Sequence, residues 1–255
     1  MKFKRTILIT TAIMMVMLTT WQGISNAKTE SKTLSLSLRT DRTEYLLGDV
    51  IGLRFDISNR TDSPAVFTMP DVRFGTLKVY VSSDAINFRE YVGPRWGSLR
   101  AGRKIIELAS GQEFQSEATM LHNRTVATGH LSEMYAERIH KENLDTHFSM
   151  QSAGRFWLKA IYFDGKTRLE SEPVVIEISH PTGMDALVWE KIKTDKAYAY
   201  FLQTGDLKFV PGSVEEWEFV ASLQRLAEEF PGTKFAVKIE QGLAKRNAIL
   251  NELQR

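Results

Sequence analysis

The chain has 255 residues, 43% of them hydrophobic and 25% charged, with a formal net charge of +2. That composition excludes a wholly disordered or fibrous protein and allows one large domain or two modest ones. With no cysteine at all, disulfide scaffolds, thiolate zinc sites and cysteine nucleophiles are excluded.

The chain opens with Lys2, Lys4 and Arg5, runs without charge from Ile7 to Trp21, and reaches Ser25-Asn26-Ala27. A positive start, an apolar stretch and a small-x-small exit predict a secretory signal over residues 1–27, cleaved after Ala27. The stretch is short of the roughly 20 residues that span a bilayer, so cleavage is favoured over an anchor. The expected mature protein is periplasmic or secreted, with no stable membrane insertion. Cleavage removes three positive and no negative charges from a chain of net +2, leaving −1. A nearly neutral protein has no electrostatic case for nucleic acid.

Residues 28–180 predict strands. Leu34, Leu36 and Leu38 alternate with polar neighbours, as do Ile51, Leu53, Phe55 and Ile57, then Leu77, Val79 and Val81, and finally Val174, Ile176 and Ile178. A period of two puts one face in a core and the other in water. Turn clusters separate the runs at Leu47-Gly48-Asp49, residues 58–64, Ser110-Gly111-Gln112 and Asp164-Gly165-Lys166. Strands are expected from Phe114 to Met120 and from Phe148 to Gln151. Between them, near 122–147, lies an insertion in which Leu131, Met134, Tyr135 and Ile139 predict a short amphipathic helix. Many short strands with regular turns predict an antiparallel β-sandwich.

Two stretches carry a resemblance. Tyr45 to Leu53, continuing to Asn59, resembles the first strands of bacterial immunoglobulin-like domains. Gly154 to Tyr162 with Ser171 to Ile178 resembles the last two. The resemblance implies an immunoglobulin-like β-sandwich in an exported protein, with Tyr162 as a structural corner tyrosine.

After Ile178 the spacing becomes helical. Residues 181–255 predict a small domain of about three helices, and the whole is mainly β plus α. The first helix is expected from about Met184 to Gln203, beginning at Thr182 with Asp185. The second follows a capping box of Ser213 and Glu216. The third is striped by Phe235, Ile239, Leu243, Leu250 and Leu253. Leu223 to Arg246, centred on Glu229-Phe230-Pro231-Gly232, resembles a tetratricopeptide-like helical hairpin of periplasmic proteins. A single such pair must bury its apolar face on something, and docking on its own strands is favoured over a partner.

Candidate chemistry is sparse. His122, His130, His140 and His147 cluster within the insertion, and Glu133, Glu137 and His140 share one face of its predicted helix. With His147 these could ligate a metal and support a metal-assisted hydrolase. No paired Glu-x-x-His and no His-Glu-x-x-His accompany them, so a solvated polar face is the preferred reading. There is no Gly-x-Ser-x-Gly and no phosphate-cradling loop, and no cofactor is expected. Phe88, Tyr91 and Trp96 cluster with Arg95 and Arg100 and could bind a ligand or partner, although such rings equally plug a core. The expected function is therefore non-catalytic: an exported binding or scaffolding module whose partner is another envelope or secreted protein. A metal-assisted hydrolase and an immunoglobulin-like proteinase inhibitor stand as alternatives.

Overall fold

A computed structural model describes residues 34–72, 75–93, 104–123, 148–207, 209 and 212–253, all within one compact unit, Thr33–Arg255. It is a mixed α and β structure of antiparallel sheets and, among the described residues, four helices. The expected signal, the insertion helix, Arg95, Trp96, Arg100, Glu133, Glu137, His140 and His147 lie outside the described residues.

Eleven strands are described. A three-stranded sheet orders β1 (Leu34–Thr40), β3 (Ile51–Asn59) and β8 (Glu113–Met120). A larger sheet orders β2 (Glu44–Leu46), β11 (Val174–Ser179), β9 (Gly154–Phe163), β5 (Leu77–Ser82) and β6 (Arg89–Tyr91). β10 (Arg168–Glu170) pairs β9 along the same side as β11. Pro173, with no N–H to donate, separates β10 from β11. Ser171 bridges the gap: its hydroxyl accepts from the Ala160 N–H at 2.9 Å and its own N–H donates to the Ala160 carbonyl at 2.9 Å. β2 joins β11 in parallel, the exception in an otherwise antiparallel arrangement.

A ribbon of β4 (Ala65–Thr68) and β7 (Ile105–Leu108) continues the β3–β8 pair past a bend at Asn59. Asn59 is 1% exposed. Its amide donates to the carbonyls of Ser63 at 2.9 Å and Leu108 at 2.8 Å, holding both sides of the bend. A buried amide so satisfied can sit in a core without penalty.

The alternation expected from the sequence sets the core. Leu53, Phe55 and Ile57 of one sheet and Val79, Leu158, Ala160, Tyr162 and Ile176 of the other are all 3% exposed or less and share one apolar cluster. Tyr162 is at its centre, with its hydroxyl 2.6 Å from the Thr68 carbonyl and 2.9 Å from the Asp164 carboxylate. Burial raises its pKa far above the ordinary phenol value. Phe148 to Gln151 does not form the expected strand. Phe148 makes only an isolated bridge with His122, so backbone pairing there is confined to the foot of the insertion.

The expected first helix is two. α1 (Gly183–Ile192) ends at Lys193, and α2 (Lys196–Thr204) begins anew because the Asp195 carboxylate accepts from the Ala197 N–H at 2.8 Å. An aspartate offering an N-cap in the middle of apolar helical spacing ends one helix and starts the next. α3 (Val214–Glu229) carries the expected capping pair. The Ser213 hydroxyl accepts from the Glu216 N–H at 3.2 Å, and the Glu216 carboxylate accepts from the Gly212 N–H at 2.6 Å and pairs with Arg246 at 2.8 Å. α4 (Lys234–Leu253) runs back against α3 as a helical hairpin.

The helices close on the strands in a single continuous core. Trp189 of α1 meets Phe148 edge-on with centroids 4.7 Å apart, and Phe235 of α4 stacks over Trp189 at 6.5 Å. Gly48, at φ +83°, forms the floor: a Cβ there would fall 2.7 Å from the Phe235 ring. Only glycine takes that backbone angle and leaves that space. Each such aromatic buries about 150–250 Å², so at roughly 25 cal/mol per Å² the rings dominate the attraction across this joint.

Candidate functional site

A cleft of about 740 Å³ lies along this joint. It is built by the β1–β2 turn, by the Leu47–Asp49 turn and by the first turn of α4. Lys234 is its centre. The Lys234 Nζ lies 2.6 Å from the Asp49 carboxylate and 3.2 Å from the Leu47 carbonyl, and the Lys234 N–H donates to Asp185 at 3.0 Å. Asp185, expected to open α1, instead caps α4 from a distance, and Thr182 makes no side-chain cap of its own.

Around this pair, Asp49 also accepts from the Leu46 N–H at 2.8 Å and faces Arg42 at 3.6 Å. Tyr45 donates to Asp41 at 2.7 Å, and Asp41 accepts from the Gly52 N–H at 2.7 Å. The Arg42 guanidinium covers the Tyr45 ring at 4.6 Å. Burial pushes the Lys234 ammonium below the ordinary lysine value, against the pull of Asp49. Burial, then the Asp41 carboxylate, pushes the Tyr45 hydroxyl up to about 12.

This chemistry is that of a clasp. The Lys234 Nζ is committed to two oxygen acceptors, the Asp49 carboxylate and the Leu47 carbonyl. Tyr45 is a donor whose proton is held more tightly than usual. Asp41, Arg42, Asp49, Asp185 and Lys234 all bond one another or the backbone, so the cleft joins helices to strands.

A second bolt sits at the foot of the insertion. The Gln203 carboxamide of α2 accepts from the N–H groups of Leu121 at 3.2 Å and His122 at 2.6 Å, and donates to the Thr119 carbonyl at 2.6 Å. Tyr91 completes it, its hydroxyl 2.9 Å from the His122 carbonyl and 3.3 Å from Gln203. Tyr91 is 6% exposed and sits in the core, so this candidate for partner binding has its ring turned away from solvent. His122 is buried, edge-on to Tyr200 with centroids 5.5 Å apart. Among the described residues no three His, Asp or Glu side chains gather as a metal site, and the four metal candidates lie outside them.

Phe88 is half-buried and points outward from the larger sheet, under the Lys159 ammonium at 4.6 Å. Its neighbours there, Trp157 and Tyr80, are also half-buried. Sequence reasoning missed both, because they come from different strands. It also missed Lys234 with Asp49, which are 185 residues apart. On α3, Val214 and Trp217 remain 68% and 64% exposed, and on α1 Met184 and Leu187 remain 50% and 54% exposed. Among the described residues no helix is long and apolar enough to cross a membrane.

No known protein family and no curated protein matches the chain. Solved structures that resemble it do so faintly. The sporulation control protein Spo0M of Bacillus subtilis is 7% identical, with 62% of this chain and 54% of that chain covered and a TM-score of 0.31. A β-glucosidase of Listeria innocua in complex with glucose is 10% identical, with 58% and 17% covered and a TM-score of 0.29. The alkylpurine DNA glycosylase AlkC of Pseudomonas fluorescens, bound to DNA containing an abasic site analog, is 14% identical, with 57% and 30% covered and a TM-score of 0.28. The chain thus spans about a sixth of the length of the glucosidase it matches. Likeness at this level carries no argument about activity.

Proposed function

We propose that this is an exported, non-catalytic binding or scaffolding protein, built on an immunoglobulin-like β-sandwich with a tetratricopeptide-like helical hairpin clasped to it. Its partner is another envelope or secreted protein, met by the outward side of the helices. The observation that carries this reading is the apolar surface left on the hairpin after its core is complete. Val214 and Trp217 lie one turn apart on α3 and face solvent, while Phe219, Leu223 and Leu226 on the opposite side are buried. Exposed tryptophan is the residue type most enriched where proteins bind proteins. The signal-like first 27 residues support export.

The test is site-specific photo-cross-linking from position 217 in the intact cell envelope, with elemental analysis of the purified protein beside it. One discrete adduct, lost when the cross-linker is moved to the buried side of α3, is the expected result. A stoichiometric metal ion together with hydrolysis that fails on His140→Ala and Glu137→Ala would replace this reading with the hydrolase. Tight one-to-one suppression of a proteinase would replace it with the inhibitor.

A further inference from the structure

The larger sheet has two faces, and among the described residues only the inner one packs into the core. Leu158, Ala160 and Tyr162 of β9 point into the core, so Trp157, Lys159, Ile161 and Phe163 point out. Register places Val175 of β11, Trp157 of β9 and Ser82 of β5 in one row across the sheet, and Phe88, just before β6, continues it. Three strand spacings make that row ~14 Å long. Tyr80 lies in the next row, opposite Lys159 and diagonal to Trp157, roughly 7–8 Å away. Ser82 is 2% exposed although it faces outward, and its hydroxyl donates to the Asp84 carboxylate at 2.7 Å. The result is a flat strip of half-exposed rings.

The charges on this face are matched within the face. Lys159 pairs with Glu170 at 2.6 Å, Lys78 with Glu90 at 2.8 Å, Arg155 with Glu177 at 2.6 Å, and Arg168 with Glu170 at 3.3 Å. With Glu44 beside Glu177 on the same outward side, the four described cations stand against four carboxylates, so these side chains leave the face with no net charge. That balance selects its occupant. Nucleic acid is held chiefly by uncompensated Lys and Arg, and an acidic or basic protein segment likewise needs an opposing field. A neutral polymer needs neither.

We infer that this face binds a neutral polysaccharide strand. Sugar rings present C–H faces that rest on aromatic rings, and equatorial hydroxyls that bond paired donors and acceptors at the rim. Trp157 and Tyr80 supply the rings, and Lys159 with Glu170 supplies a donor and an acceptor side by side, held in place by their own pairing and by the contact of Lys159 with Phe88. The row from Val175 to Phe88 accommodates about a trisaccharide. This surface is distinct from the hairpin of the proposed protein contact, so the two readings fail separately.

The experiment titrates the purified protein with cellohexaose and with N-acetylated chitohexaose, both neutral, and with an oligogalacturonate of equal length, following heat and tryptophan emission. The expected result is saturable binding of a neutral hexasaccharide with a change in emission, and no binding of the acidic one. Trp157→Ala, which removes a ring contact, and Phe88→Ala, which frees the Lys159 donor that it holds, are each expected to weaken binding about tenfold. Because Trp157 is half-buried, Phe88→Ala decides the matter if Trp157→Ala does not fold. Failure of both neutral probes, equal binding of the acidic one, or binding untouched by Phe88→Ala overturns the inference. So does a protein cross-linked through position 88, which leaves the hairpin reading intact.

Discussion

The helix–strand joint and the outer face of the larger sheet are made of the same materials, aromatic rings and opposed charges, and they use them oppositely. At the joint the rings of Trp189, Phe148 and Phe235 close on one another, and the Lys234–Asp49 pair is largely shielded, with side chains 24% and 12% exposed. On the sheet the rings stay half out, and pairs such as Arg155–Glu177 are 60% and 45% exposed. Burial decides what a given group is worth. A shielded pair left with one member is an uncompensated charge, whereas an exposed pair contributes between nothing and about 1 kcal/mol.

The sharpest way to break this contrast is Trp189→Ala. It should cost about 3–5 kcal/mol in denaturant unfolding, against less than about 1.5 kcal/mol for Phe88→Ala. Equal costs would mean that the joint is no better packed than the sheet surface. Gly48→Ala comes next, at roughly 2–4 kcal/mol, from the left-handed backbone angle and the collision with Phe235 together. Thermal melting checks it, and an unchanged melting temperature would show that Phe235 moves aside freely.

Lys234→Met keeps the aliphatic stem and removes the charge, leaving Asp49 with the Leu46 N–H and the more distant Arg42. A loss of about 1–3 kcal/mol is expected, whereas Arg155→Ala should change stability by less than about 0.5 kcal/mol. A double-mutant cycle with Asp49→Asn separates the pair's coupling from the loss of each partner alone.

The alkaline limb sharpens the comparison further. Tyr45 has a folded pKa of about 12 against 10.0 unfolded, so its contribution is fully present below 10 and is lost as pH rises toward 12. Tyr45→Phe should make alkaline unfolding shallower. The smallest effect lies at acid pH. Burial raises the Asp164 pKa, but the N–H groups of Thr167, Lys166 and Thr68 outweigh it and hold the carboxyl at about 2. Its contribution is present above 3.8 and fades as pH falls through 2. Asp164→Asn should flatten that limb in a pH series of melting temperatures.

Local signals served the strands well. Ile51, Leu53, Phe55 and Ile57 announce a half-buried strand within seven residues, and the structure buries all four. Ser213 and Glu216 announce a helix start within four. The break at Asp195 was concealed because the apolar spacing of α1 and α2 runs through it, and the capping aspartate was the signal to read. The clasp was illegible for a different reason. Lys234 and Asp49 meet only through the whole fold, and nothing near either residue marks the other. The same holds for Trp157, Tyr80 and Phe88, whose row exists only once β9, β5 and β6 are in register. Tyr91 and Phe88, three residues apart, look alike in the sequence, and strand parity sends one inward and the other outward.

Gln203 and Tyr91 fasten the chain at His122, and His122 bridges Phe148, so the two residues are held side by side although 26 positions apart in the sequence. Closing a gap between neighbouring points costs little, and that cost grows only slowly with the number of residues spanning it. His122 and Phe148 are therefore a pair of fixed anchors. A designer can graft a foreign segment between them while the scaffold beneath keeps its shape.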